Sequence, residues 1–279
     1  MPELPEVETT RRGIEPHILD KTITDVVVRE RKLRWPIPAK LAERLKKQKI
    51  LSVERRGKYL LICVKDGTLI IHLGMSGSLR IIPANTPAGA HDHFDLVIGK
   101  QCLRLRDPRK FGAVLWQAGP KSGSQSGYVE THKLLANLGP EPLSDSFDTE
   151  YLFNLSRKRQ VSIKNLIMNS HVVVGVGNIY ASESLFRSGI RPTSKAGKVS
   201  KARYARLVDS IKQVLAEAIE QGGTTLQDFS NEEGKPGYFA QELKVYGREG
   251  QACYICDAPI QKTVIGQRSS YYCPKCQKT

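Results

Sequence analysis

The sequence predicts an α+β protein: a strand-rich first half, a helical second half and a metal-stapled tail. Three observations predict it. Short apolar runs broken by turn residues fill the stretch from Thr22 to about Trp116. After Ser144, apolar residues recur at helical spacing. Two Cys-x-x-Cys pairs, Cys253/Cys256 and Cys273/Cys276, close the chain. At 279 residues there is enough chain for one large domain or two, each with its own core.

Each element has a local reason. Residues 5–19 are predicted helical, with acidic residues gathered at the start, where the helix dipole favours them. Ile50–Val64 and Thr68–Ile82 are rich in Ile, Leu and Val and are separated by Asp66-Gly67, a hairpin signal. His93–Ile98, Cys102–Arg106 and Ala113–Trp116 continue the series, which suggests a β-sandwich. Ala118–Gly127 is small and polar and is expected to be a solvent-exposed loop. A boundary is expected near Gly139-Pro140-Glu141-Pro142. Helices are then predicted over 148–157, 161–169, 178–188 and 200–221, and a small ribbon over 240–279. The expected segments are 1–138, 139–235 and 236–279.

Composition narrows the function. Lys and Arg number 43 against 28 Asp and Glu, a net charge of +15. Such an excess favours a polyanionic partner, because a cation placed on a phosphate releases condensed counterions. No run approaches the roughly 18 apolar residues of a membrane span. The opening PELPEVETTRR has no apolar signal region, so a cytosolic location with reduced thiols is expected. Cys63 and Cys102 sit in apolar surroundings and are predicted to be buried thiols.

The spacing Cys253-x2-Cys256-x16-Cys273-x2-Cys276 fits a four-cysteine zinc site. Two knuckles can aim four sulfurs at the corners of a tetrahedron. A closed thiolate shell leaves no open coordination position, so one structural Zn2+ is expected. Metal binding then supplies much of the folding free energy of so short a segment.

Other positions are ambiguous on chemistry alone. Pro2 is a small second residue that permits removal of Met1. Glu3, Glu6 and Glu8 suit a helix start. Lys58 suits a strand, and Met75 and Phe111 suit a core. The longer context decides. PELPEVETTRRGIEPH, HLGMSGSLR (72–80), DPRKFGA (107–113), VVGVGNIYASE (173–183), GGTTLQDF (222–229), KPGYFAQELKVYGREG (235–250) and the cysteine ribbon together resemble bacterial formamidopyrimidine-DNA glycosylases over essentially the whole chain. The opening PELPEVE separates it from the related endonuclease VIII.

The resemblance implies an N-terminal β-sandwich carrying an N-terminal helix, then a helix-two-turns-helix domain ending in a zinc ribbon. It implies a monomer that acts on damaged double-stranded DNA in the cytoplasm, associated with the nucleoid. The implied activity is excision of oxidised purines, followed by strand cleavage. Pro2 matches the nucleophile and Glu3 the acid that protonates the sugar ring oxygen. Glu6 stands one helical turn beyond. Lys58 matches a lysine of the strand-cleavage apparatus. Arg268 matches the ribbon arginine that grips phosphates. Met75, Arg109 and Phe111 match the residues that fill the gap left by an extruded base. His91, Arg159, Lys164 and Asn178 match DNA-contacting positions, and Gly222–Phe229 matches a loop closing over the extruded base. Three departures stand out: Lys110 in place of an arginine, Asn165-Leu166 in place of Pro-Trp, and a longer 117–131 segment. A catalytically silent damage-binding protein and a pyrimidine-specific relative are the competing expectations.

Overall fold

The structure is a computed structural model that describes residues 2–119, 132–222 and 243–279. The expected loop at 118–127 and the expected base-covering loop at 222–229 lie largely outside the described residues. The chain divides into two compact units: one runs through Asn137, and the other joins Leu138–Gln221 to the C-terminal ribbon.

The first unit opens with helix α1 (Leu4–Ile18). Glu3 and Glu6 form a capping box at its start, in which Glu6 Oε2 accepts the Glu3 N–H at 2.8 Å. Leu4, Val7, Ile14 and Ile18 form its buried stripe, and the helix packs on strands of both sheets described next. On the other flank, Glu8 gathers Arg11, Arg12 and Arg55 at 3.1, 2.9 and 3.0 Å.

Eight strands follow: β1 (Asp25–Val28), β2 (Ile50–Arg56), β3 (Tyr59–Val64), β4 (Gly67–His72), β5 (Ser78–Pro83), β6 (Asp92–Ile98), β7 (Gln101–Arg106) and β8 (Ala113–Ala118). A short helix α2 (Leu41–Leu45) lies between β1 and β2. The sheet orders are β1-β6-β7-β5 and β2-β3-β4-β8, and adjacent strands in both run antiparallel. Inward residues such as Leu60, Ile62, Leu69, Ile71, Phe94, Leu96, Leu103 and Leu105 share one core with α1.

Each of the two long apolar stretches, Ile50–Val64 and Thr68–Ile82, breaks into two strands. Gly57, at φ +57°, turns β2 into β3. Gly74, at φ +66°, ends the path of β4, and the chain then crosses to the other sheet as β5. A left-handed residue cannot continue a ladder, and glycine adopts that conformation without a Cβ penalty. The β3–β4 turn is Lys65-Asp66, one residue earlier than Asp66-Gly67, because Val64 pairs with Gly67.

A buried polar network crosses the β1-β6-β7-β5 sheet. Asp95 receives Arg104 through Nε at 2.9 Å and Nη2 at 2.8 Å, and Arg29 Nη2 at 2.6 Å. Arg104 also donates to the carbonyls of Thr86 and Pro87.

The second unit contains α3 (Thr149–Ser156), α4 (Ile163–Ile167), α5 (Asn178–Arg187) and α6 (Lys201–Glu220). Asp148 caps α3 by accepting the Tyr151 N–H at 2.7 Å, and Ser162 caps α4 by accepting the Asn165 N–H at 3.2 Å. Tyr204, Leu207, Val208, Ile211, Leu215 and Ala218 form the buried stripe of α6, which packs on α3 and α5. A hairpin of β9 (Gln261–Ile265) and β10 (Arg268–Tyr272) forms the ribbon. Among the described residues no helix is long and apolar enough to cross a membrane.

Burial on its own would raise the Asp95 pKa, but the hydrogen bonds from Arg29 and Arg104 override it and hold the carboxyl below its usual range. The stability it contributes is therefore present above about pH 4 and is lost as pH falls through the lowered pKa. Asp95→Asn removes the two short carboxylate contacts of the buried Arg104, leaving it only the Asp92 carboxylate at 3.6 Å, and is expected to cost about 3 kcal/mol in urea unfolding at neutral pH. The variant should also lose less stability on acidification than the parent.

Candidate active site and metal centre

In the first unit the candidate residues occupy one helix start and four loops. Pro2 is buried immediately before α1, and Glu3, 2% exposed, is the helix N-cap. Glu6, also 2% exposed, is committed to the Glu3 N–H, so it stiffens the backbone at the terminus. Lys58 is half-buried in the β2–β3 turn. The next residue, Tyr59, pairs across the sheet with His72, and their rings lie 4.8 Å apart.

His72 opens the segment HLGMSGSLR, but sequence reasoning gives it no part. The ring accepts the Gly74 N–H on Nδ1 at 3.0 Å. Its pKa is lowered to about 4, first by burial and then by the positive charges of Lys58 and Arg34. A neutral imidazole beside two cations leaves this corner suited to an anion. Its place at the end of β4, beside a turn lysine, is the signal that the sequence offers.

Met75 is half-buried on the loop after β4, whereas Arg109 and Phe111 are exposed on the loop before β8, Phe111 at 45%. The Arg109 guanidinium lies 5.4 Å from the Phe111 ring centre. An exposed phenylalanine at a loop tip is not the core residue that composition alone suggests. His91 is partly exposed just before β6, and its carbonyl accepts the Asp107 N–H at 2.9 Å. Lys110 adopts φ +54° and places its ammonium 2.5 Å from Glu30, which draws the Glu30 pKa down to about 2. That departure therefore serves the loop's outer anchorage.

In the second unit, Asn178 begins α5 after the glycine turn Gly175-Val176-Gly177, with Gly175 at φ +80°. Lys164, matched by resemblance to a DNA-contacting position, is fully buried. Its Nζ donates to Asn178 Oδ1 at 2.5 Å, Ser270 Oγ at 2.5 Å and the Ser269 carbonyl at 3.2 Å. Asn178 Nδ2 in turn donates to the Ser269 carbonyl at 3.0 Å. One ammonium thus ties α4, α5 and β10 together. Arg159 is exposed after α3.

Arg268 is exposed at the start of β10, directly after the turn Gly266-Gln267, whose residues have φ +55° and +62°. Two successive positive φ values make a tight hairpin turn that matches strand twist. A Cβ on Gly266 would lie 2.8 Å from Asn165 Oδ1, so the Asn165 departure sits against the hairpin tip. Glu183, buried on α5, accepts the N–H groups of Lys244, Val245 and Tyr246 at 2.9, 3.0 and 2.8 Å and fixes the chain entering the ribbon.

All four ribbon sulfurs lie within 4.8 Å of one another, and every cysteine is a free thiol. Individual separations run from 3.4 to 3.9 Å. A tetrahedron with Zn–S bonds of about 2.3 Å has edges of about 3.8 Å, so the set fits zinc and no disulfide. N–H groups of Ile255 and Cys276 point at the sulfur of Cys253 and Cys273, respectively. The Ala258 N–H leads the causes that draw the Cys256 thiol down to about 7.

A sandwich that buries its chain terminus, joined to a helical unit with a four-cysteine ribbon, is the architecture of a class of DNA glycosylases. Residues 1–114 match the formamidopyrimidine-DNA glycosylase N-terminal domain. Residues 138–230 match the H2TH domain of the same enzymes, and residues 250–279 match the zinc finger found in FPG and IleRS. The chain is 59% identical to formamidopyrimidine-DNA glycosylase of Thioalkalivibrio sulfidiphilus and 56% identical to that of Pseudomonas aeruginosa, over the full length of each. Among solved structures it is similar to the MutM (Fpg) protein of Thermus thermophilus, at 36% identity and TM-score 0.87, covering 99% of this chain and 98% of that one. It is also similar to a Lactococcus lactis Fpg mutant in complex with Fapy-dG-containing DNA, at 32% identity and TM-score 0.91, covering 100% of each chain. The chain belongs to the formamidopyrimidine-DNA glycosylase family.

Two outcomes follow from this geometry. Chelation of the metal should disorder residues 253–276, read as new protease cleavage within the ribbon, and should abolish strand incision; full incision by the apo protein would contradict the part given to the ribbon. His72 should stay neutral to about pH 4. The unfolded chain protonates first, near pH ~6.5, so stability is intact above that value and declines as pH falls toward the folded pKa. Imidazole resonances followed by NMR titration check this, and a midpoint above about 6 would refute it.

Proposed function

We propose that the chain is a bifunctional DNA glycosylase and AP lyase of base excision repair, with the Pro2 nitrogen as nucleophile. The observation that carries the reading is a buried proline immediately before the N-cap of a capped helix, in a chain of this family. The substrates are oxidised purines, 8-oxoguanine and formamidopyrimidines, in double-stranded DNA. The protein works as a monomer with one structural zinc, in the bacterial cytoplasm and on the nucleoid. Its functional division is a catalytic domain at 1–138, a helix-two-turns-helix domain at 139–235 and a zinc-ribbon hairpin at 236–279.

The chemistry follows from the amine. An α-amino group titrates near pKa ~8, so about a tenth is unprotonated at neutral pH, far more than of a lysine. Removal of Met1 is required, because a peptide-bonded proline nitrogen has no nucleophilic lone pair. Pro2 attacks C1′ of the extruded nucleotide as the base departs, and Glu3 protonates the sugar ring oxygen. The secondary amine becomes an iminium with no N–H to lose. Its fixed charge withdraws electrons and drives β- and then δ-elimination of the two phosphates. Lys58 assists strand cleavage from the β2–β3 turn. Met75 and Phe111 fill the vacated space, and Arg109 hydrogen-bonds the orphaned base. His91, Arg159, Asn178 and Arg268 bind phosphates, and Arg268 assists the second elimination. Lys164 contributes by holding Asn178, with Glu6 playing the matching part for Glu3.

Borohydride reduction on an 8-oxoguanine duplex should trap a protein–DNA adduct that maps to Pro2. Pro2→Gly should keep lesion binding within a few-fold while excision falls by more than about 100-fold. Robust trapping on a chain that retains Met1 would exclude this nucleophile. Preference for thymine glycol over 8-oxoguanine would favour the pyrimidine-specific alternative.

A further inference from the structure

The two loops that carry Met75, Arg109 and Phe111 are joined by one buried carboxylate. Asp107 has no exposed surface. Its Oδ1 accepts the Ser76 hydroxyl at 2.8 Å and the Arg109 N–H at 3.3 Å, and its Oδ2 accepts the Gly112 N–H at 2.7 Å. Ser76 Oγ, itself buried, shares the Arg109 N–H at 3.3 Å. The Asp107 carbonyl accepts His93 Nε2 at 2.8 Å. Backbone contact completes the seam: a Cβ on Gly74 would lie 2.4 Å from the Phe111 carbonyl carbon, and one on Gly112 would lie 3.0 Å from Asp107 Oδ2.

Among the described residues Asp107 has no ion-pair partner. A buried carboxylate supported only by neutral donors is a costly way to close a loop. What it provides is a fixed relation between two backbones, since each of its oxygens is committed to a different part of the seam. Arginine has a long, flexible side chain, so the accuracy with which it meets a base depends on how firmly its own backbone is held. The Arg109 N–H is held by both members of the clamp.

We propose that Asp107 and Ser76 are positioning residues that lock the two loops into one rigid wedge, and that this rigidity sets the discrimination of Arg109 between bases opposite the lesion. The inference rests on the proposed gap-filling role of Met75, Arg109 and Phe111. Neither residue need touch DNA. A loosened wedge still enters the helix, but Arg109 then samples several positions and accepts a mismatched partner about as readily as cytosine.

The test compares Ser76→Ala and Asp107→Asn with the parent enzyme. Single-turnover excision of 8-oxoguanine is measured opposite cytosine and opposite adenine. Cleavage of a single-stranded abasic oligonucleotide, which has no opposite base, is measured in parallel. A third measurement places 2-aminopurine opposite a stable abasic analogue and reads its fluorescence on binding. Each variant should lower the cytosine-to-adenine ratio by about five- to tenfold, the scale of one lost hydrogen bond. Each should also blunt the 2-aminopurine change, with single-stranded cleavage within about twofold of the parent. An unchanged ratio in both variants overturns the proposal. So does a parallel fall in single-stranded cleavage, which would indicate general damage to the fold. If Asp107→Asn alone fails to fold, Ser76→Ala decides. A parent that binds duplex without excising would sink the proposed function, and the 2-aminopurine comparison would still judge the clamp.

Discussion

The first unit depends on the burial of one face of α1 against both sheets. The first residues of a chain face the usual fraying of ends, where few contacts restrain the backbone. Leu4, Val7, Ile14 and Ile18 oppose that by fastening the helix into the sandwich interior, and the Glu3–Glu6 box fixes its first turn. The sheets, the core and the Glu8–arginine cluster on the other flank together hold the start of α1 in place.

Asp107 in the first unit and Lys164 in the second are buried polar hubs of opposite charge. Asp107 gathers N–H and O–H donors from the wedge loops, and Lys164 gathers oxygen acceptors from α5 and β10. Such hubs specify geometry more than they add stability, because a buried charge pays a desolvation cost that its partners must first offset. The exposed Arg109 in one unit and Arg268 in the other, together with the partly buried Asn178, are the positions proposed above to meet DNA.

Much of this was legible in the sequence, for identifiable reasons. Period-two and period-3.6 patterning located most strands and helices within a residue or two, since burial of one face is what both patterns record. The cysteine spacing described its own site completely. What was missed came from long-range contact. The split of Thr68–Ile82 between two sheets depends on Gly74 meeting Phe111, a contact no local pattern encodes. Lys164 was matched to a DNA-contacting position by resemblance, and its interior position became visible only once β10 was placed beside it. His72 and Asp107 lay inside recognised segments, yet their chemistry is made by neighbours distant in sequence. The catalytic assignments came from resemblance, because a proline in second place has no distinguishing chemistry until something holds it.

The close approach at Gly74 divides the wedge into parts with unequal freedom to change. Its shape is maintained by an atom that is missing, and every other amino acid would restore that atom. The three tip side chains can be exchanged singly, so the preference proposed for them is open to gradual tuning. The support beneath them has no stepwise route to a different spacing. Diversification of such an enzyme is therefore channelled to its fingertips, with the knuckle fixed.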